Sequence, residues 1–207
     1  MLDFINKIGE QLQHPLPGQE AQYRMATAVR YKRAPAPPTA VDAGVLALFY
    51  PRDADWHIVL IERTSRYEND RHKGQISFPG GRYEATDPDM EFTAVREAEE
   101  EVGIDRNDIT VLGKLTELYI PVSNFLVHPY VAYAEKRPNF EPQPSEVENI
   151  LEVPFEHFYQ KKNIRKMDMT IRGDLILREV PYFDIQGKVL WGATAMMISE
   201  LLAVVSD

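Results

Sequence analysis

The 207-residue chain contains no cysteine, which excludes disulfides, thiolate zinc ligands and cysteine nucleophiles. Its apolar runs are short, and none approaches the roughly eighteen residues of a membrane-spanning helix. The first residues include Asp3 and Glu10, where a signal peptide would be apolar. Basic runs are also absent and the formal net charge is −9, which disfavours a surface for nucleic acid or anionic membranes. These absences predict a cytoplasmic protein without a nucleic-acid or membrane partner.

The composition is that of an ordinary globular protein, with 44% hydrophobic and 27% charged residues. The length allows a sizeable core and predicts one domain with an extension. Residues 2–13 place apolar side chains at helical spacing, and the segment from Ala34 to Ala40 is rich in proline. We therefore expect an N-terminal helix and proline-rich extension in residues 1–40 and the main domain in residues 41–207.

Strand and helix patterns follow one another along the main domain. Val41–Tyr50 and Trp56–Glu62 are apolar segments separated by a turn-forming PRDAD, which indicates a hairpin. An amphipathic helix is predicted from Met90 to Val102, with an aspartate near its start and Gly103 as its stop. The other predicted elements are strands at 76–78, 109–119 and 127–134, a strand or short helix at 147–158, paired strands at 167–177 and 179–183, and a helix at 193–205.

The helix predicted at Met90–Val102 carries an unusual concentration of carboxylates. Glu97, Glu100 and Glu101 stand at i, i+3 and i+4 and so share one helix face, where like charges repel. Apolar residues mark the opposite face as the one packed on a core: Phe92, Val95, Ala98 and Val102. A carboxylate cluster on the exposed face of an anchored helix suits a hard divalent cation such as Mg²⁺. The alternative is a solvated acidic face.

The segment from Arg96 to Ile104 resembles the second half of the Nudix box, REUxEExGU, in which U is a bulky aliphatic residue. Ala98 is smaller than the residue usual at its position. Upstream, the box expects a glycine and a glutamate, and Gly81 and Asp87 stand there, with one residue more than usual before Arg96. An aspartate thus replaces the glutamate, while the acidic half of the motif is intact.

This resemblance implies a fold, a reaction and a set of roles. Nudix hydrolases adopt an α/β/α sandwich with a mixed β-sheet between helices, and they hydrolyse a nucleoside diphosphate linked to another group, using Mg²⁺ or Mn²⁺. The implied metal ligands are the backbone carbonyl of Gly81 and the side chains of Glu97, Glu100 and Glu101. Arg96 would orient a glutamate of the box, and Glu99, at a variable position, would face solvent.

A general base is also needed, and in this family it is either a box glutamate or a carboxylate from a later loop. Glu146, just before a strand-like run, is the best later candidate, with Glu148 as the runner-up. A solvated acidic linker is the alternative interpretation of both residues.

Two flanking stretches resemble the coenzyme A pyrophosphatase subgroup. Upstream these are Leu60–Ser65 and Arg71–Gly81, the latter ending in GQISFPGG; downstream they are Pro181–Phe183, then Gly187, and Leu190–Ala195. The spacing of the upstream residues departs from the subgroup's pattern. The resemblance implies cleavage of coenzyme A, or its derivatives, to adenosine 3′,5′-bisphosphate and 4′-phosphopantetheine.

Substrate-binding residues are expected in the loop that leads to the box, where cations could meet phosphate. The predicted set is Arg63, Arg66, Arg71, Lys73, Gly80 and Gly81. Trp191 and the pair Met196 and Met197 are interpreted as core residues, and His72 and His128 as surface or structural histidines. Two alternatives stay open: hydrolysis of another nucleoside diphosphate derivative, such as ADP-ribose or NADH, and a non-catalytic module that binds a nucleotide. The amphipathic N-terminal helix or the apolar C-terminal helix could supply a homodimer surface.

Overall fold

The computed structural model describes residues 2–28, 35–64, 74–171 and 175–206. The helices are α1 (Leu2–Gln11), α2 (Gly18–Gln22), α3 (Met90–Val102) and α4 (Gly192–Ser206). The strands are β1 (Val41–Arg52), β2 (Asp55–Arg63), β3 (Ile76–Ser77), β4 (Gly80–Arg82), β5 (Ile109–Lys114), β6 (Leu118–Ile120), β7 (Phe125–Ala134), β8 (Val147–Pro154), β9 (Ile164–Ile171), β10 (Leu175–Ile185) and β11 (Lys188–Trp191). Short 3-10 helices lie at Tyr23–Met25, Arg106–Asp108, Phe155–Tyr159 and Lys161–Asn163.

Within the described residues, β1 to β8 form one mixed sheet and β9 to β11 form a second, antiparallel sheet. In the large sheet β1 is central. It runs parallel to β7, with Ala47 opposite Val131, and antiparallel to β2 and β4. β8 pairs with β2 on the side away from β1. Parallel and antiparallel pairs thus coexist, as predicted for the mixed sheet.

Both faces of the large sheet are covered, which explains why β1 is apolar along its length. Successive side chains of a strand point to opposite faces. Leu46 and Leu48 therefore pack under α3, while Ala47 and Phe49 pack toward α1 and α4. This three-layer arrangement is the predicted α/β/α sandwich.

The N-terminal helices bury their apolar residues within the chain. Ile5 and Ile8 of α1 and Leu201 of α4 are each at most 1% exposed and belong to the same core. Most of the apolar stripe of α1 is therefore covered by this chain's own residues, while Leu2 is 55% exposed, and the homodimer surface stays a prediction. None of the helices in the described ranges is both long and apolar enough to cross a membrane.

Most predicted elements are confirmed, and the differences have local causes. The segment expected as one strand at 109–119 forms two strands, β5 and β6, which both pair with β7. The break expected after Leu177 is wrong. β10 continues through it by a bulge in which Glu179 has φ 52°. Helix α2 and strands β4 and β11 were not predicted.

Candidate active site

Helix α3 has the bounds that the sequence predicts, because both of its ends are determined locally. The Asp89 side chain caps the N-terminus and accepts a hydrogen bond from the Phe92 backbone N–H at 2.8 Å. Gly103 ends the helix in the left-handed region, with φ 71°. The helix lies so close to β1 that a Cβ on Gly44 would be 2.7 Å from the Ala94 nitrogen. This close packing fixes the carboxylate face relative to the sheet.

The two glycines before the helix form strand β4 and lie against β1 and α3. Gly80 has φ 155°, and a Cβ there would come within 2.4 Å of the Gly44 carbonyl oxygen. At Gly81 a Cβ would lie 2.3 Å from Oε2 of Glu97. The Gly-Gly pair is thus required by a close backbone approach, and it places the Gly81 backbone directly beside a carboxylate of α3.

The three glutamates differ in exposure, which corrects the expectation of one exposed face. Glu101 is 1% exposed, whereas the side chains of Glu97 and Glu100 are 14% and 58% exposed. The difference arises because β2 and β4 cover Glu101. Its Oε1 pairs with Arg63 Nη1 at 2.9 Å, and its Oε2 accepts a hydrogen bond from the Gly80 N–H at 2.8 Å.

Burial and crowding shift the ionisation of these carboxyls. Burial raises the pKa of Glu101 to about 7, against the opposing effects of Arg63 and the Gly80 N–H. Burial also raises the pKa of Glu97, although Arg96 opposes this. The negative charge of Glu146 contributes to both increases. The site therefore contains several close carboxylates, whose ionised forms an additional positive charge would stabilise.

Arg96 is bonded to several groups at once. Its Nε and Nη2 donate to the two carboxylate oxygens of Asp87 at 2.9 and 3.0 Å. Its Nη1 lies 3.0 Å from Glu97 Oε1 and 3.1 Å from Glu100 Oε1. Asp87 is 4% exposed, and its hydrogen bonds to Arg96 lower its pKa to about 2. Arg96 thus connects the aspartate of the motif to two of the glutamates.

Glu99 was expected to face solvent, and the structure corrects this. Its carboxylate is partly buried and paired with Arg106, whose Nε donates to Oε2 at 2.7 Å. The Arg106 guanidinium also lies over the Phe92 ring, 4.8 Å from its centroid. The turn at Gly103 brings Arg106 back onto the helix. Helical periodicity alone does not predict this ion pair.

A cleft of about 580 Å³ opens over the carboxylates. Its lining includes the predicted residues Arg63, Gly80, Gly81, Glu97, Glu100, Glu101 and Glu146. Of the two candidate bases, Glu146 lies in the loop before β8 and lines the cleft. Glu148 is exposed on β8 and is not among the described residues that line it.

The opposite side of the cleft is largely apolar. We call it the apolar wall, and it consists of Ile120, Val122, Phe125, Val127, Trp191 and Met197. Trp191 is half-buried there, so its assignment to the core is wrong. Met197 is 3% exposed and packs as expected. Sequence reasoning missed Phe125 and also Arg82, which follows the Gly-Gly pair and lines the cleft.

The predicted cations and histidines do not all lie in the cleft. Arg63 lies in the cleft, but its guanidinium is engaged by Glu101. Arg66, Arg71, His72 and Lys73 lie outside the described residues. His128 is bonded to Asp42 and Glu117 at 2.8 and 3.3 Å, in keeping with a structural histidine.

Among the described residues, no three acidic or histidine side chains already surround a common point suited to a metal ion. Arg63 and Arg96 form ion pairs with the carboxylates of α3. The donor chemistry itself, carboxylate and carbonyl oxygen, is that of a hard divalent cation.

Comparisons with known proteins identify the family of this chain. A family model described as the NUDIX domain matches residues 38–171. Nudix hydrolase 22, chloroplastic, of Arabidopsis thaliana is 35% identical over 169 residues, which are 79% of this chain and 54% of that protein. The Nudix hydrolase NudL of Photorhabdus laumondii is 35% identical over 130 residues, which are 63% of this chain and 68% of that protein.

Solved structures give the same fold. A Nudix hydrolase from M. smegmatis, RenU, superposes with a TM-score of 0.56 at 16% identity, covering 81% of this chain and 86% of that one. The chain spans about half the length of the Arabidopsis relatives that it matches. The family match covers the strands and the helix that build the cleft, and the chain therefore belongs to the Nudix hydrolase family.

Proposed function

We propose that the protein is a divalent-metal-dependent pyrophosphohydrolase that cleaves the diphosphate of coenzyme A or its derivatives. The products would be adenosine 3′,5′-bisphosphate and 4′-phosphopantetheine. Residues 41–207 would form the catalytic domain, with residues 1–40 as an extension.

One observation carries this proposal. The segments that resemble coenzyme A pyrophosphatases, Gln75–Gly81 and Trp191–Thr194, are far apart in the sequence. Both line the cleft that contains the glutamates of α3. Because the fold brings these two segments to the same cleft, we infer that they act together. Their common role would be recognition of the molecule whose diphosphate lies at the carboxylates.

The residues present fit a hard cation. Gly81 lacks a side chain where Glu97 approaches, so the Gly81 backbone and that carboxylate are neighbours. With Glu100 and Glu101 they would hold Mg²⁺ or Mn²⁺. A bound divalent cation offsets the charge of the diphosphate and lowers the pKa of bound water. Binding at Glu101 would compete with Arg63, which now neutralises that carboxylate.

The remaining roles belong to the chain's own groups. Glu146 is exposed at the cleft and would accept the proton of the attacking water. Arg96, held by Asp87, keeps Glu97 and Glu100 in place. Arg63 would be free to contact phosphate once a cation takes Glu101. Arg66, Arg71 and Lys73 stay predicted phosphate ligands, and Gly80 and Gly81 would let the substrate approach the backbone.

The test is a substrate screen with the purified protein. Coenzyme A, NADH and ADP-ribose are incubated with Mg²⁺ or Mn²⁺, and the products are separated by chromatography. We expect adenosine 3′,5′-bisphosphate from coenzyme A. Cleavage of another substrate with coenzyme A untouched would contradict the narrower assignment, and nucleotide binding without turnover would indicate a non-catalytic module.

Variants of the proposed ligands connect turnover to the carboxylates. We expect Glu100→Gln and Glu101→Gln to lower kcat/KM by about 100-fold or more, because charge stabilisation by a metal is worth several kcal/mol. Glu156→Gln is the matched control, since Glu156 is exposed and does not line the cleft. Calorimetry with Mn²⁺ should show weaker binding in the two ligand variants alone.

A further inference from the structure

The cleft is acidic for a site that takes an anionic substrate. Its described lining residues include five carboxylates: Glu84, Glu97, Glu100, Glu101 and Glu146. The described cations of the lining are Arg63 and Arg82. Arg63 is paired with the buried Glu101 at 2.9 Å, whereas Arg82 pairs with no carboxylate of the described residues. Arg82 is thus the described cation whose charge is available to a ligand.

The backbone of Arg82 is fixed by its neighbours. It is the last residue of β4 and lies opposite Ala43 of β1. Its carbonyl oxygen accepts a hydrogen bond from Nη2 of Arg96 at 3.1 Å. The side chain therefore extends from a rigid strand that the motif arginine also holds.

The direction of that side chain separates it from the carboxylates of α3. Successive residues of a strand point to opposite faces, and the Gly81 position faces Glu97. Arg82 accordingly points away from Glu97, and its guanidinium lies over the ring of Phe125, 5.1 Å from the centroid. Phe125 is part of the apolar wall, as is Val122, which is 75% exposed.

A guanidinium held over an aromatic ring keeps a planar set of N–H donors, which match the oxygens of a phosphate. The ring restricts the rotation of the arginine, so less entropy is lost when an anion binds. The same arginine could be a solvated surface cation, but its position in the cleft and its contact with Phe125 favour a binding role.

We propose that Arg82, supported by Phe125, binds a phosphate of the substrate other than the diphosphate that is hydrolysed. For coenzyme A this is the 3′-phosphate of the adenosine. The inference rests on the proposed function and deepens it, because it assigns recognition of a phosphorylated ribose to the side of the cleft opposite the metal carboxylates.

The experiment compares coenzyme A with dephospho-coenzyme A, which lacks the 3′-phosphate. The kcat/KM of each is measured for the wild type, Arg82→Gln and Arg82→Lys. The control is Arg24→Gln, since Arg24 is exposed and lies outside the cleft. We expect the wild type to prefer coenzyme A, and Arg82→Gln to lose about tenfold or more on coenzyme A alone, as for a charge-assisted hydrogen bond. Arg82→Lys should keep part of the preference.

Each result decides a different point. An equal loss on both substrates in Arg82→Gln would mean contact with the diphosphate and would overturn the inference. An unchanged preference in that variant, or no preference in the wild type, would also overturn it. If neither substrate is cleaved by the wild type, the proposed function fails and the inference fails with it.

Discussion

The carboxylate of Asp87 accepts two hydrogen bonds from the guanidinium of Arg96, from Nε at 2.9 Å and from Nη2 at 3.0 Å. Asp87 is the residue at which the sequence departs from the Nudix box, since it is shorter than a glutamate and is followed by one additional residue. The Thr93 hydroxyl and the Glu84 N–H also donate to it. The aspartate that replaces the glutamate of the box therefore still holds Arg96 through both of its carboxylate oxygens.

Replacing Asp87 with asparagine should lower the free energy of unfolding by about 2 kcal/mol at pH 7, because Arg96 loses a buried charged partner. The pKa of Asp87 is lowered to about 2 in the folded protein, below an unfolded value of about 3.9. Its contribution is therefore complete above about pH 4 and is lost as the pH falls toward 2. Urea unfolding between pH 7 and pH 2.5 measures the difference.

The matched control for that experiment is Asp108→Asn, because Asp108 is exposed on a short 3-10 helix. We expect its effect to stay within about 0.5 kcal/mol at every pH. A difference between wild type and Asp87→Asn that does not shrink in acid would argue against the charge of Asp87 as the source.

Gly81→Ala tests the contact between β4 and α3. The new Cβ would lie 2.3 Å from Oε2 of Glu97, so that carboxylate must move. The obstacle is the end of a flexible side chain, and we expect folding to be preserved while kcat/KM falls by about 100-fold. The control is Gly9→Ala, where the nearest atom is 3.5 Å away. Full activity in Gly81→Ala would show that the position of Glu97 is unimportant.

Glu146→Gln should lower kcat by about 100-fold or more, the loss expected for a general base. Its melting temperature should stay near that of the wild type, because the side chain is exposed. Glu148→Gln serves as the comparison, since Glu148 is also exposed but lies outside the described lining of the cleft. Wild-type turnover in Glu146→Gln would remove the assignment, and a loss confined to Glu148→Gln would transfer it.

Glu200 of α4 is fully buried and connects the N-terminal segment to the domain. Its carboxylate accepts hydrogen bonds from the Gly18 N–H, the Gln22 amide, and the Thr116 N–H and hydroxyl, at 2.6 to 3.2 Å. In Glu200→Gln an amide N–H₂ would face these donors, and we expect a loss of about 2–3 kcal/mol of unfolding free energy.

Thermal unfolding and limited proteolysis of the N-terminal segment would measure this effect. Glu156→Gln, at an exposed position, should change neither. Activity of Glu200→Gln at temperatures below its melting point should be normal, because Glu200 is not among the described residues that line the cleft. Unchanged stability of Glu200→Gln would mean that the hydrogen bonds to Glu200 contribute little to the free energy of unfolding.

Much of the fold was predictable because the signals were local. The caps at Asp89 and Gly103 defined α3, and two apolar segments around a turn defined the hairpin of β1 and β2. Where the sequence misled, the cause was a distant contact or an unusual backbone conformation. Glu179 adopts a positive φ inside β10, which propensity does not indicate.

The sequence by itself determined the register of Glu97, Glu100 and Glu101 on one helix, since the helical period depends on neighbouring residues. Only the tertiary structure decided that Glu101 is buried beneath Arg63 and Gly80, because that burial requires two strands to cover the helix. It also brought Trp191 and Arg82 to the same cleft. Contacts between segments distant in sequence arise from packing of the sheet, and no local pattern encodes them.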